Sequence, residues 1–232
     1  MNQSQMLEQE KSVLRWGGLA GILGSVFFIL VMVFVAVVIG SDPFDLAEVV
    51  ARFPNIHMLR VIENGVYLVG LLLEILLVLA LFLALRKVNL APALFGSALG
   101  IVGLVSMAIS ATPHVAHYPL SELFHATGTT PEAQEAIALM WQATWGVFNA
   151  PLFVGFFVVP TGLILLGVAM FSSPDFSKGY SWVSLVLGVI AFIAAILQMI
   201  DPAADIGALS YIALILFYFV LGIKIYRLSK AA

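Results

Sequence analysis

The chain has no cysteine and little charge: 10% of its 232 residues are Asp, Glu, Lys or Arg, against 62% that are hydrophobic. Without cysteine there is no thiolate nucleophile, no Cys-ligated zinc or iron–sulfur cluster, no covalently attached c-type haem and no disulfide framework. The net charge of −3 excludes the basic surface that nucleic acid requires, and the scarcity of charge excludes a disordered chain. Soluble domains are about 45–50% apolar and about 25% charged, so a mean hydropathy of +1.10 excludes them as well. What remains is an all-α, polytopic membrane protein.

Apolar runs of about 20 residues, bounded by charged or Pro/Gly-rich breaks, mark membrane helices. Six are present, at Trp16 to Gly40, Val61 to Leu85, Leu90 to Ala111, Ile137 to Phe171, Tyr180 to Ile200 and Ile206 to Tyr226, so residues 1–232 form one six-helix transmembrane domain. The first run is longer than the apolar stretch of a cleavable signal and reads as a retained span. The fourth is too long for a simple crossing, and Pro151 and Pro160 fall inside it. An even number of spans puts both termini on one side. Lys11, Arg15, Arg86, Lys87, Lys178, Lys224, Arg227 and Lys230 fall on that side, with Arg52 and Arg60 opposite. That bias makes the termini cytoplasmic in a cell (inner or plasma) membrane. All four histidines then fall outside.

Two outer loops carry helix signals, giving short outer amphipathic helices. In the first, Asp42 suits an N-cap and Pro43 the first helical position, so a helix should run to about Phe53. In the second, His114, His117, Ser121 and His125 recur at spacings of three, four and four residues, one helical face, although Pro119 argues against an unbroken helix. His114 and His117 lie one turn apart and could chelate a zinc or copper ion if the chain bent to bring in His57, His125 or Glu122. HxxH alone lacks the third ligand and general base that give HExxH its specificity. Hydrogen-bonded or pH-responsive interface histidines account for the same residues without a metal. No histidine sits within an apolar span, which argues against a b-type haem.

Polar residues inside the spans are the other signal. In the second span, Arg60 and Glu63 form an i,i+3 pair beside Asn64, and Glu74 lies about three turns further along the same side. A carboxyl at that depth costs several kcal/mol unless it is neutral, paired or hydrated, and such groups usually face a bundle interior or a cavity. On the fourth span Gln142, Trp145 and Asn149 form one stripe with Trp141 beside it. Gln198, Asp201 and Asp205 frame the last outer turn, and Tyr211 and Tyr218 share a face of the sixth span. Gly17, Gly18, Gly21 and Gly24 in the first span, with Gly96, Gly100 and Gly103 in the third, permit close helix contact.

Three stretches resemble a family of small bacterial and archaeal membrane proteins of unknown function. They are the Arg15-x-x-Gly18-Leu19 start, Leu85-Arg86-Lys87-Val88-Asn89 at the end of the second span, and Gly162-Leu163-x-x-Leu166-Gly167. The resemblance covers most of the chain and implies a six-helix membrane fold without implying an activity.

The residues themselves predict a membrane-embedded binding or transport-type protein. Its outward-facing cavity would be built from Glu63, Asn64, Glu74, Gln142, Trp145 and Asn149, for a cation or protonatable small molecule in an apolar wall. Two alternatives stay open: an accessory or scaffold subunit that meets protein partners or further copies of itself, and a His-metal membrane enzyme.

Overall fold

The computed structural model describes residues 3–201 and 206–231 of the chain. The turn holding Pro202 and Asp205 lies outside the described residues. Among the described residues seven α-helices follow one another: α1 (Gln3–Phe34), continued by a π-helical turn over Val35–Ile39, then α2 (Leu46–Leu85), α3 (Leu90–Ile109), α4 (Pro113–Phe124), α5 (Pro131–Phe171), α6 (Lys178–Ile200) and α7 (Gly207–Ala231). Six helical segments are long and apolar enough to cross a membrane, the third running from Leu90 through α4 to Phe124, and they match the six apolar runs of the sequence. The most apolar stretch of the first has a mean hydropathy of 3.2 yet is only 22% buried, so its large side chains need an apolar solvent rather than a protein core.

The spans close into a ring in the order α1, α2, α3, α5, α6, α7 and back to α1, with α2 also touching α5 and α7 across the centre. Small residues set the spacing. A Cβ on Gly162 would lie 2.6 Å from the carbonyl oxygen of Gly96 and 2.7 Å from the amide of Gly100, so α5 and α3 meet backbone to backbone. Gly18 does the same for α1 against Tyr226 of α7, where a Cβ would fall 2.4 Å from the amide nitrogen.

Two expectations at the end opposite the termini are corrected. No separate helix spans residues 43–53: α2 starts at Leu46, capped by Asp45, whose carboxylate accepts from the Ala47 amide at 2.7 Å, and runs through Pro54 without a break. Asp42 does not serve as the cap because Arg52 and Arg60 engage it, at 3.5 and 3.0 Å. Likewise α4 continues through Pro119 to Phe124. A proline inside a helix removes one hydrogen bond and crowds one carbonyl, and the packing of α4 on α2 and α5 outweighs that loss.

Candidate functional site

The three helices α2, α4 and α5 meet the end of α1 around a cavity of about 650 Å³, at the end of the bundle opposite the termini. Its wall is mostly apolar, with Phe28, Val31, Val49, Ile56 and Leu152 among the lining side chains. Into it α2 directs Arg60, Glu63, Asn64 and Tyr67, successive turns of one helical face. From α5 come Trp141, Gln142, Trp145 and Asn149, again one stripe, while α4 adds His114 and His117 and α7 adds Tyr211. Five of the six ligand-binding residues expected from the sequence therefore meet in one place: Glu63, Asn64, Gln142, Trp145 and Asn149.

Glu74 is not among the lining residues. It sits eleven residues beyond Glu63 on α2, about 16 Å along the helix, fully buried against α1. Its Oε1 is 3.4 Å from the hydroxyl of Ser25, and its Oε2 has no hydrogen-bond partner. Gly24 leaves the room it occupies, since a Cβ there would lie 2.4 Å from Oε1.

Charge in the cavity is organised around Arg60. Its guanidinium reaches Glu63 Oε2 at 2.9 Å and Asp42 Oδ2 at 3.0 Å, so one cation ties two carboxylates across the chain entering α2. Arg52 assists from about two turns earlier on α2, donating to the carbonyls of Ser41, at 2.8 Å, and Ile39. Asn64 donates to the carbonyl of Arg60 at 2.7 Å, which leaves its amide oxygen for other partners.

Aromatic rings form the opposite wall. His117 stacks on Trp141 with centroids 3.8 Å apart and planes 11° from parallel, and faces Trp145 at 5.7 Å and 20°. Phe53 presents its edge to Trp141 at 4.9 Å. Nε2 of His117 and Nδ1 of His114 are buried without a partner. The ring nitrogens of an imidazole can donate or accept, so both rings can bind a polar group.

The four histidines divide. His114 and His117 line the main cavity, whereas His57 and His125 line a smaller hollow of about 330 Å³ with Tyr118 and Glu122. Nδ1 of His125 is 2.8 Å from the carbonyl oxygen of Ser121. Among the described residues no three His, Asp or Glu side chains gather closely enough to hold a metal ion.

The sequence reading missed Asp42, Tyr67 and Phe53 as parts of this site. Tyr67 carried a usable signal, one turn beyond Glu63 on the same face. Asp42 carried none, because its place depends on how the chain between α1 and α2 folds back onto Arg60. The chain matches no family model, no curated protein and no solved structure.

Proposed function

We propose that the chain is a multi-pass membrane protein of ligand-binding or transport type whose cavity receives a cation or protonatable small molecule with an apolar body. The observation that supports it is the convergence of Glu63, Asn64, Gln142, Trp145 and Asn149, from two helices, on one cavity whose wall is mostly apolar. Acidic and π-rich walls suit a lipophilic cation: Glu63 supplies negative charge, and Trp141 and Trp145 supply ring faces. An incoming cation competes with Arg60 for Glu63, and Arg60 then leans on Asp42, its other partner. Ligand binding in this way bears on the segment joining α1 to α2. The basic residues at the terminal end support a cytoplasmic location for that end, with the cavity and the histidines facing outward.

Tetraphenylphosphonium is a suitable probe, with triphenylphosphine oxide as its neutral counterpart. Purified protein is expected to show quenching of tryptophan fluorescence by the cation at lower concentration than by the neutral compound. Glu63→Gln should weaken the cation about tenfold, the equivalent of ~1.4 kcal/mol, and leave the oxide unchanged. Equal response to both probes, or an unaltered cation affinity in Glu63→Gln, overturns the charge assignment. If neither probe alters the fluorescence, the cavity reading itself is overturned.

A further inference from the structure

From the floor of the cavity a row of polar side chains runs inward, away from the ligand site. Two buried side chains there end in atoms without a hydrogen-bond partner, the hydroxyl of Tyr218 and Oε2 of Glu74, and the hydroxyl of Tyr67 has only that of Tyr211 beside it. Tyr218 and Glu74 are 0% exposed and Tyr67 is 9% exposed. Leaving a polar group buried and unpaired is costly, and each such group in a native core calls for an explanation.

Their arrangement supplies one. Tyr67 and Glu74 are seven residues apart on α2, as are Tyr211 and Tyr218 on α7, so each pair lies on one helical face two turns apart. The two helices touch. Neighbours along the row act on one another in sequence, Tyr211 with Tyr67, Tyr67 with Tyr218, and Tyr218 with Glu74. The upper end of the row is open to the cavity, because Tyr67 and Tyr211 both line it. The lower end is the carboxyl.

Little hydrogen bonding holds that carboxyl. The Ser25 hydroxyl lies 2.8 Å from the carbonyl oxygen of Gly21 and 3.4 Å from Glu74 Oε1, and it can donate to either. It has one proton to give, so an ionised carboxylate there would have at most one weak donor, and burying it so poorly paired is costly. The groups facing Glu74 are the Ser25 hydroxyl from α1 and Tyr218 from α7, with Tyr67 two turns up its own helix, and among the described residues no charged side chain acts on it.

We propose that Glu74 is a proton-carrying site that exchanges with the cavity through the hydroxyls of Tyr211, Tyr67 and Tyr218. In the uptake direction, a protonated ligand or hydronium ion in the cavity gives a proton to the Tyr211 oxygen while the Tyr211 proton passes to Tyr67. Tyr67 passes its own proton to Tyr218, and Tyr218 protonates the Glu74 carboxylate. Each phenol ends with one proton, the donor has lost one, and the carboxylate has become a carboxylic acid. Water bridges any gap wider than a hydrogen bond. The row ends at Glu74, so the site stores a proton alongside the cavity ligand. The inference deepens the reading of the cavity as a site for a cation or protonatable molecule, and rests on it for the identity of the donor alone.

Infrared spectroscopy of the full chain in lipid tests this without any ligand. A carboxylic-acid carbonyl band should be present in the wild type, disappear in Glu74→Gln and shift when the medium is changed to D2O. In Tyr67→Phe and Tyr218→Phe the band should remain, and its shift should slow by about tenfold or more, as expected when a positioned proton carrier is removed. Persistence of the band shows that those variants still fold around a protonated Glu74. A band that D2O does not move, a band that survives in Glu74→Gln, or unchanged exchange in both phenylalanine variants overturns the proposal. Loss of tetraphenylphosphonium binding with intact exchange would instead remove the cavity reading and keep the proton site.

Discussion

His117 illustrates how one side chain ties the site to stability. Its ring lies flat on Trp141 and faces Trp145, and the residue is only 2% exposed. His117→Ala empties that place in the stack and should lower the stability by about 2–4 kcal/mol. His117→Phe keeps a flat ring there and should cost less, and thermal unfolding of the two variants is the comparison. Equal losses would show that the ring contributes nothing through its stacking. At this scale the sequence was informative about residue type and depth and uninformative about contact. Glu63 and Glu74 share a side of α2 and read alike in the sequence, yet the cavity reaches the first and α1 packs over the second. That difference is set by Gly21, Gly24 and Ser25 of another helix, which no local pattern on α2 records.

Among the elements, α5 shows most clearly how a helix is placed by its smallest residues. At Gly162 a side chain would meet backbone atoms of α3 that cannot rotate away, whereas at Gly146 on the same helix a Cβ would meet nothing within 4 Å. Gly162→Ala should therefore destabilise the protein by about 1–3 kcal/mol through overpacking. Gly146→Ala should be neutral or stabilising by up to about 1 kcal/mol, because alanine has the higher helix propensity. Thermal unfolding of the two variants in one detergent is the comparison. A Gly162→Ala protein as stable as the wild type would mean that α3 and α5 are free to separate by the width of a methyl group. The spans were legible because lipid imposes a length and an apolar composition on each of them, and the glycine rows were legible as contact surfaces. The ends of elements were not. Asp42-Pro43 has the form of a helix start, but Arg52 and Arg60 hold Asp42 and the helix begins beyond Asp45. Pro119 has the form of a break, but α4 is held along its length by Val50, Phe53, Ala138 and Trp141, which share its apolar cluster.

For the whole molecule, the closed ring of spans brings the second and fourth segments together around the cavity, a pairing that separation in sequence concealed. The two ends of the ring differ in chemistry. At the terminal end Glu10 pairs with Arg86 and Lys87, at 2.8 and 3.0 Å, within a basic surface, whereas the other end carries the cavity and all four histidines. Insertion retains Lys and Arg in the cytoplasm, so the proposed orientation follows from the difference between the ends and is independent of the ligand. The absence of cysteine makes it directly testable, since an introduced thiol has no background. Ser172 and Ala126 are exposed residues in connections at opposite ends of the bundle. Ala126→Cys should react with a membrane-impermeant maleimide on intact cells, and Ser172→Cys only after lysis. The reverse pattern would turn the cavity toward the cytoplasm, where the same geometry would serve release or capture of an internal cation. Labelling of both thiols in intact cells would mean that the chain inserts in two orientations. The basic residues would then be too weak a bias to set a direction for transport.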